Sequence, residues 1–267
     1  MSSEGASTRP ASGATNTAKR PARVRKNILQ LDKIELQSLN DGFEALVAAE
    51  GPGGYQHLAG IYGQPGQPYQ PTAPLLFLPW HRAYLLAFEQ ALGRFLPGLS
   101  LAYWKWTDES ALFTGIPGRL RTVAYTDKDH GIWLNALCRA PVDFLGYERY
   151  TERSPGRPGD LDGPIRTARE ATGQTRFEDF SAGLQKASQD LRAWVGGHTG
   201  DDALVAYDPL FWFHHANLDR IWVRWREAHG EVALPESLLD AELEPFRVTV
   251  RDVLEVERLA YAYDDGC

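Results

Sequence analysis

Four stretches of the chain carry apolar residues at steps of three and four, the spacing that gives a helix one apolar face. In the first, Leu36, Leu39, Phe43, Leu46 and Val47 follow Asp32, with Glu35 three residues after it. A carboxylate there caps the free amides and Glu35 reciprocates, so the pattern predicts a helix that starts at Asp32 and ends in Gly51 to Gly54. In the second, Pro79 stands in a first-turn position, and His81, Tyr84, Leu85, Phe88, Leu92 and Phe95 share one side, which turns His81 inward. The third, from about Phe177 to Trp194, repeats Phe177, Phe180, Leu184, Ala187, Leu191 and Trp194 as a bundle stripe. The fourth opens at Asp208-Pro209, a cap residue followed by proline, and closes at His229-Gly230.

The segments between these stretches lack a lasting period. Gly63 to Pro74 is rich in Gly, Pro and Gln and is expected to be loop. Tyr103 to about Thr175 reads as irregular with short helices. Residues 1–26 are rich in small residues and proline and end in a basic run, so they read as a solvated, disordered tail. The expectation is an all-α fold, a four-helix bundle core with long irregular connections, formed by residues 27–267 as one domain.

Charge narrows the range of functions. Lys and Arg number 28 against 35 Asp and Glu, a net charge of −7, which disfavours a nucleic-acid partner. No apolar run approaches the roughly 18 to 20 residues of a membrane span, and the N-terminus lacks a secretory apolar stretch, so a cytoplasmic protein with no membrane contact is the default. Cys138 and Cys267 are too few for a disulfide framework and read as free thiols. The 8 Trp, 11 Tyr and 11 Phe suit either a well-filled core or walls around a flat ligand.

Candidate chemistry centres on seven histidines: His57, His81, His130, His198, His214, His215 and His229. Imidazoles projected from facing bundle helices are a common way to hold a metal, because rigid helices fix the ligand directions. Phe77-Leu78-Pro79-Trp80-His81-Arg82-Ala83-Tyr84-Leu85 and Asp208-Pro209-Leu210-Phe211-Trp212-Phe213-His214-His215-Ala216-Asn217-Leu218-Asp219-Arg220 resemble the two signatures of the tyrosinase (type 3 copper) family. Shorter matches are Gly60-Ile61-Tyr62-Gly63, Tyr103-Trp104-Lys105-Trp106, Trp194-Val195-Gly196-Gly197 and Tyr261-Ala262-Tyr263-Asp264.

The resemblance implies a tyrosinase-type bundle and, in family members, two coppers held by six histidines that oxidise phenols with dioxygen. On that pattern the last ligand of each site falls on His81 and His215. The other four positions hold Tyr62, Thr72, Ser188 and Arg192. Lys105 replaces an acid of the family motif, and Gln189 replaces an asparagine that orients a water.

An arginine stays protonated and has no lone pair, so Arg192 cannot be a ligand and its charge opposes a nearby copper. Neighbouring helical residues diverge by about 100°, so His214 and His215 are not expected at one metal. Two arrangements stay open: Arg192 turned outward to solvent, or a rebuilt site in which His57 and His198 join His81 around one metal. His57, His130 and His198 otherwise read as solvated loop residues.

The expected catalytic set is His81, His215, Tyr62, Ser188 and Arg192, with imidazoles near their ordinary pKa acting as acids and bases on a small aromatic substrate. No cofactor is expected, or copper on His81 and His215 if any metal binds. A copper-dependent phenol oxidase with a rearranged site and a non-catalytic binding protein are the alternatives.

Overall fold

A computed structural model describes residues 23–63, 71, 73–127, 131–144, 147–230 and 234–264. Helix α1 (Lys33–Ala48) is capped as its sequence predicts: Asp32 Oδ1 accepts from the Glu35 amide and Glu35 Oε2 from the Asp32 amide. It ends at Ala48, before the glycines. Helix α2 (Tyr55–Gly63) lies in a stretch the periodicity passed over, because nine residues give too few repeats. Helix α3 (Pro74–Phe95) begins one turn earlier than expected, so Pro79 sits inside it and Pro74 takes the first-turn place. Phe95, at the helix end, is 40% exposed and falls off the apolar stripe.

The middle of the chain is more regular than its composition implies. Helices α4 (Ala111–Thr114) and α5 (Gly118–Arg121) are single turns. Two antiparallel hairpins follow, β2 (Ala124–Asp127) with β3 (Gly131–Leu134) and β4 (Pro141–Phe144) with β5 (Tyr147–Tyr150). Helix α6 (Asp162–Thr172) buries Pro164, Ile165, Ala168 and Ala171. Its apolar stripe is well defined but short, four residues set among Asp162, Arg166, Arg169 and Glu170, and the polar majority hid it from the sequence reading.

Helices α7 (Phe177–Val195) and α8 (Leu210–His229) match their stripes closely. Asp208 accepts the Leu210 amide at 2.8 Å, and Gly230 ends α8 at φ 71°. Helix α3 packs against α1, α7 and α8, and α6 lies on α7. Between α7 and α8 the rings of Phe180 and Trp225 stack at 4.4 Å, and across α3 and α8 those of Phe88 and Trp212 stack at 3.8 Å. The short helices α9 (Glu236–Leu239) and α10 (Val250–Val253) close one side. All-α describes the architecture, with a helical bundle at its core.

The expected tail ends sooner than residue 26. Strand β1 (Arg23–Arg25) pairs in parallel with β6 (Tyr261–Tyr263), and residues 1–22 lie outside the described residues. Arg25 is fully buried. Its Nη2 lies 2.7 Å from Glu89 of α3 and its Nη1 3.0 Å from Asp219 of α8. Arg82 reaches the second oxygen of Asp219 at 2.6 Å, and Tyr261 and Tyr263 also donate to Asp219. A basic residue in a disordered-looking run is therefore a core residue, because two buried carboxylates need its charge.

Candidate functional site

Where α3 and α8 face each other, His81 and His215 stack with ring centroids 4.0 Å apart and planes within 4° of parallel. The helix itself sets the tautomer of His81, since its Nδ1–H donates to the Phe77 carbonyl one turn back at 2.7 Å. That leaves the Nε2 lone pair of His81 buried without a partner, as are both ring nitrogens of His215. Aromatic rings wall the stack: Phe77 lies 4.6 Å from His81, Phe211 lies 4.2 Å from His215, and Tyr62 of α2 lies 5.8 Å from His81.

Ser188 and Arg192 stand one turn apart on α7, both buried. Ser188 Oγ lies 2.7 Å from Nε2 of His214. The His214 ring sits 4.7 Å from that of His215 and 5.7 Å from Trp106, and its Nδ1 has no partner. Arg192 is 9% exposed, so the outward arrangement does not hold. Its Nη1 donates to the Tyr62 hydroxyl at 3.2 Å, its Nε to the Thr199 carbonyl at 3.1 Å, and its Nη2 to Asp202 at 2.6 Å. A line of contacts thus runs from the exposed Asp202 through Arg192 and Tyr62 to the histidine stack.

Two glycines make this line. Gly196 and Gly197 hold φ of 63° and 58°, which turns the chain sharply after α7 and brings Thr199 back over Arg192. A Cβ on Gly197 would lie 2.2 Å from the Glu152 carbonyl oxygen, so that position accepts no side chain.

Electrostatics corrects the expectation of near-neutral imidazoles. Burial, with a smaller push from the Arg192 charge, lowers the pKa of His81 to about 3. His214 and His215 are also held well below the usual histidine value, chiefly by burial. Burial raises Tyr62 to about 12 against the opposing pull of Arg192. At neutral pH the cluster therefore holds three uncharged imidazoles, a protonated phenol and one fixed cation.

The expected set of His81, His215, Tyr62, Ser188 and Arg192 is brought together, whereas His57 and His198 are not part of it. His57 is exposed on α2, on a different face from the buried Tyr55, Leu58, Ala59 and Tyr62. His198 lies beyond α7, where its Nδ1 accepts the Glu152 amide at 2.9 Å. Among the described residues the rebuilt site drawing on both is not assembled. Thr72 and His130 lie outside the described residues. Gln189 is exposed, and Lys105 pairs with Asp108 at 3.3 Å.

Sequence reasoning passed over His214, because helical divergence separates it from His215 in direction without removing it from the cluster. Asp202 carried no signal at all, lying in a loop with no motif. Among the described residues, no group of three or more His, Cys, Asp or Glu side chains is placed to hold a metal ion, and no helix is long and apolar enough to cross a membrane.

Residues 52–157 and 165–228 match the common central domain of tyrosinase. Hemocyanin 1 of Megathura crenulata is 29% identical over 282 aligned residues, covering 91% of this chain and 8% of the relative, so the chain spans a small part of that protein. A tyrosinase of Streptomyces lincolnensis is 31% identical over 180 residues, 57% of this chain and 63% of the relative. In structure, the tyrosinase from Burkholderia thailandensis superposes with a TM-score of 0.79 at 21% identity, covering 92% of this chain and 74% of that one. A functional unit of octopus hemocyanin gives 0.77 at 26% identity, covering 91% and 68%. With matched signatures, a matched domain and a shared helical core, this chain belongs to the tyrosinase, or type 3 copper, family.

Proposed function

We propose that this chain is a tyrosinase-family member that works without a copper pair, using uncharged imidazoles, Tyr62 and Arg192 to bind and polarise a small aromatic substrate. One observation carries the reading: the guanidinium of Arg192 is locked between Tyr62 and Asp202, on the helix face that would have to present second-site ligands. The donor set does not fit two coppers. Four of the six positions implied by the family hold Tyr62, Thr72, Ser188 and Arg192, and copper prefers imidazole nitrogen to a neutral hydroxyl.

Stacking also opposes a single copper shared by His81 and His215. A ring nitrogen's lone pair lies in the plane of its ring, and two parallel planes about 4 Å apart contain no common point for a metal. Without metal, the chemistry falls to hydrogen bonding and proton transfer. His81 Nε2 is oriented by the Phe77 carbonyl to accept a hydrogen bond, as from a phenol hydroxyl. Tyr62 stays protonated and receives an N–H from Arg192, so its own proton is free to be donated. Arg192 would stabilise an enolate or phenolate as it forms, since a fixed cation in a buried site acts at low effective dielectric.

The test is copper content. After incubation with excess copper and dialysis, elemental analysis should find well under one copper per chain, and catechol should cause no uptake of dioxygen. Two coppers per chain with oxygen-dependent catechol oxidation would overturn the proposal.

A further inference from the structure

The contact between Ser188 and His214 has a second meaning. A hydroxyl 2.7 Å from an imidazole nitrogen is within the range in which histidine activates serine as a nucleophile. Both residues are buried, which removes competing bulk water. Arg192 follows Ser188 by one helical turn on the same face of α7, so their Cβ atoms stand about 5 to 6 Å apart, with the guanidinium held by Tyr62, Thr199 and Asp202. Nucleophile, base and anion-stabilising charge are thus gathered on two facing helices, α7 and α8. Phe211 and Trp106 supply flat apolar surface beside the two histidines.

We propose that Ser188 and His214 form an acyl-transfer dyad that takes aryl esters. It rests on the reading that the site holds no copper pair. Ser188 Oγ attacks the ester carbonyl carbon while its proton passes to His214 Nε2, and the carbonyl electron pair moves to oxygen, on which Arg192 acts. The oxyanion collapses, the bond from carbonyl carbon to the aryl oxygen breaks, and the departing phenol takes the proton from His214. Water then attacks the acyl-serine by the same route, giving the carboxylic acid and restoring Ser188.

The test uses the full chain with a fluorophosphonate probe and p-nitrophenyl acetate. Peptide mass spectrometry should place the phosphonyl group on Ser188, and His214→Gln should slow labelling at least tenfold. Ester turnover should show a burst of p-nitrophenol that Ser188→Ala removes. Because the unmodified chain alone reveals which residue reacts, a Ser188→Ala chain that fails to fold leaves the test intact. Labelling confined to another residue, or an unchanged rate in His214→Gln, would overturn the dyad. Copper measured in the same preparation separates the two ideas: a copper-free chain with Ser188 unlabelled sinks the dyad alone, while two coppers per chain sink the reading beneath it.

Discussion

His81 shows how a single side chain reports on its surroundings. Its Nδ1 is fixed by a backbone carbonyl and its pKa is pushed down to about 3 by burial, so it is neutral wherever the protein is folded near neutral pH. An unfolded chain returns it to the ordinary value near 6.5. The unfolded state therefore binds more protons between those values, and stability, complete above about pH 6.5, falls as pH drops toward 3. His214 and His215 act in the same direction. Urea midpoints at pH 7.5 and pH 5 should differ, with up to about 1.4 kcal/mol lost per pH unit for each histidine kept neutral. Equal midpoints would mean that the imidazoles are protonated in place. Tyr62, Ser188 and Arg192 were legible as candidate site residues because each stands at a motif position. Their chemical state was not, since burial and the Asp202 contact come from segments distant in sequence.

Among elements, the long helices announced themselves and the short ones did not. Stripes over about 177–194 and 208–229 fixed α7 and α8 to within two residues, because many turns of periodic burial leave a strong pattern. Helix α2 is short and α6 sets a short stripe in a polar majority, so neither stood out, although α2 carries Tyr62. The turn after α7 shows how an element can shape a site from outside it. Gly197 meets the Glu152 carbonyl oxygen so closely that Gly197→Ala must move backbone, and its positive φ adds strain. Thermal unfolding of that variant should reveal a loss of about 2 to 4 kcal/mol, together with weakened hold on Arg192 through Thr199. A variant as stable as the parent would show that the turn can relax.

At the scale of the whole molecule, the first and last strands of the described residues meet. Strand β1 lies beside β6, and Arg25 carries that junction into the interior, where it pairs with Glu89 of α3 and shares Asp219 of α8 with Arg82. Truncating one partner of a buried charge pair costs about 3 to 5 kcal/mol, because the other is left uncompensated. Arg25→Ala should lower the unfolding free energy by that order in denaturant titration, far more than loss of any exposed arginine. A change under about 1 kcal/mol would show that the carboxylates find other partners. The same junction has a practical side for anyone shortening the protein. A cut placed where low-complexity sequence gives way to the first helix would discard a three-residue ribbon of no evident value and strip Glu89 of its buried cation, leaving Asp219 with Arg82 alone. The edge of this fold is drawn by charge balance, and a trimming strategy guided by hydrophobicity alone would miss it.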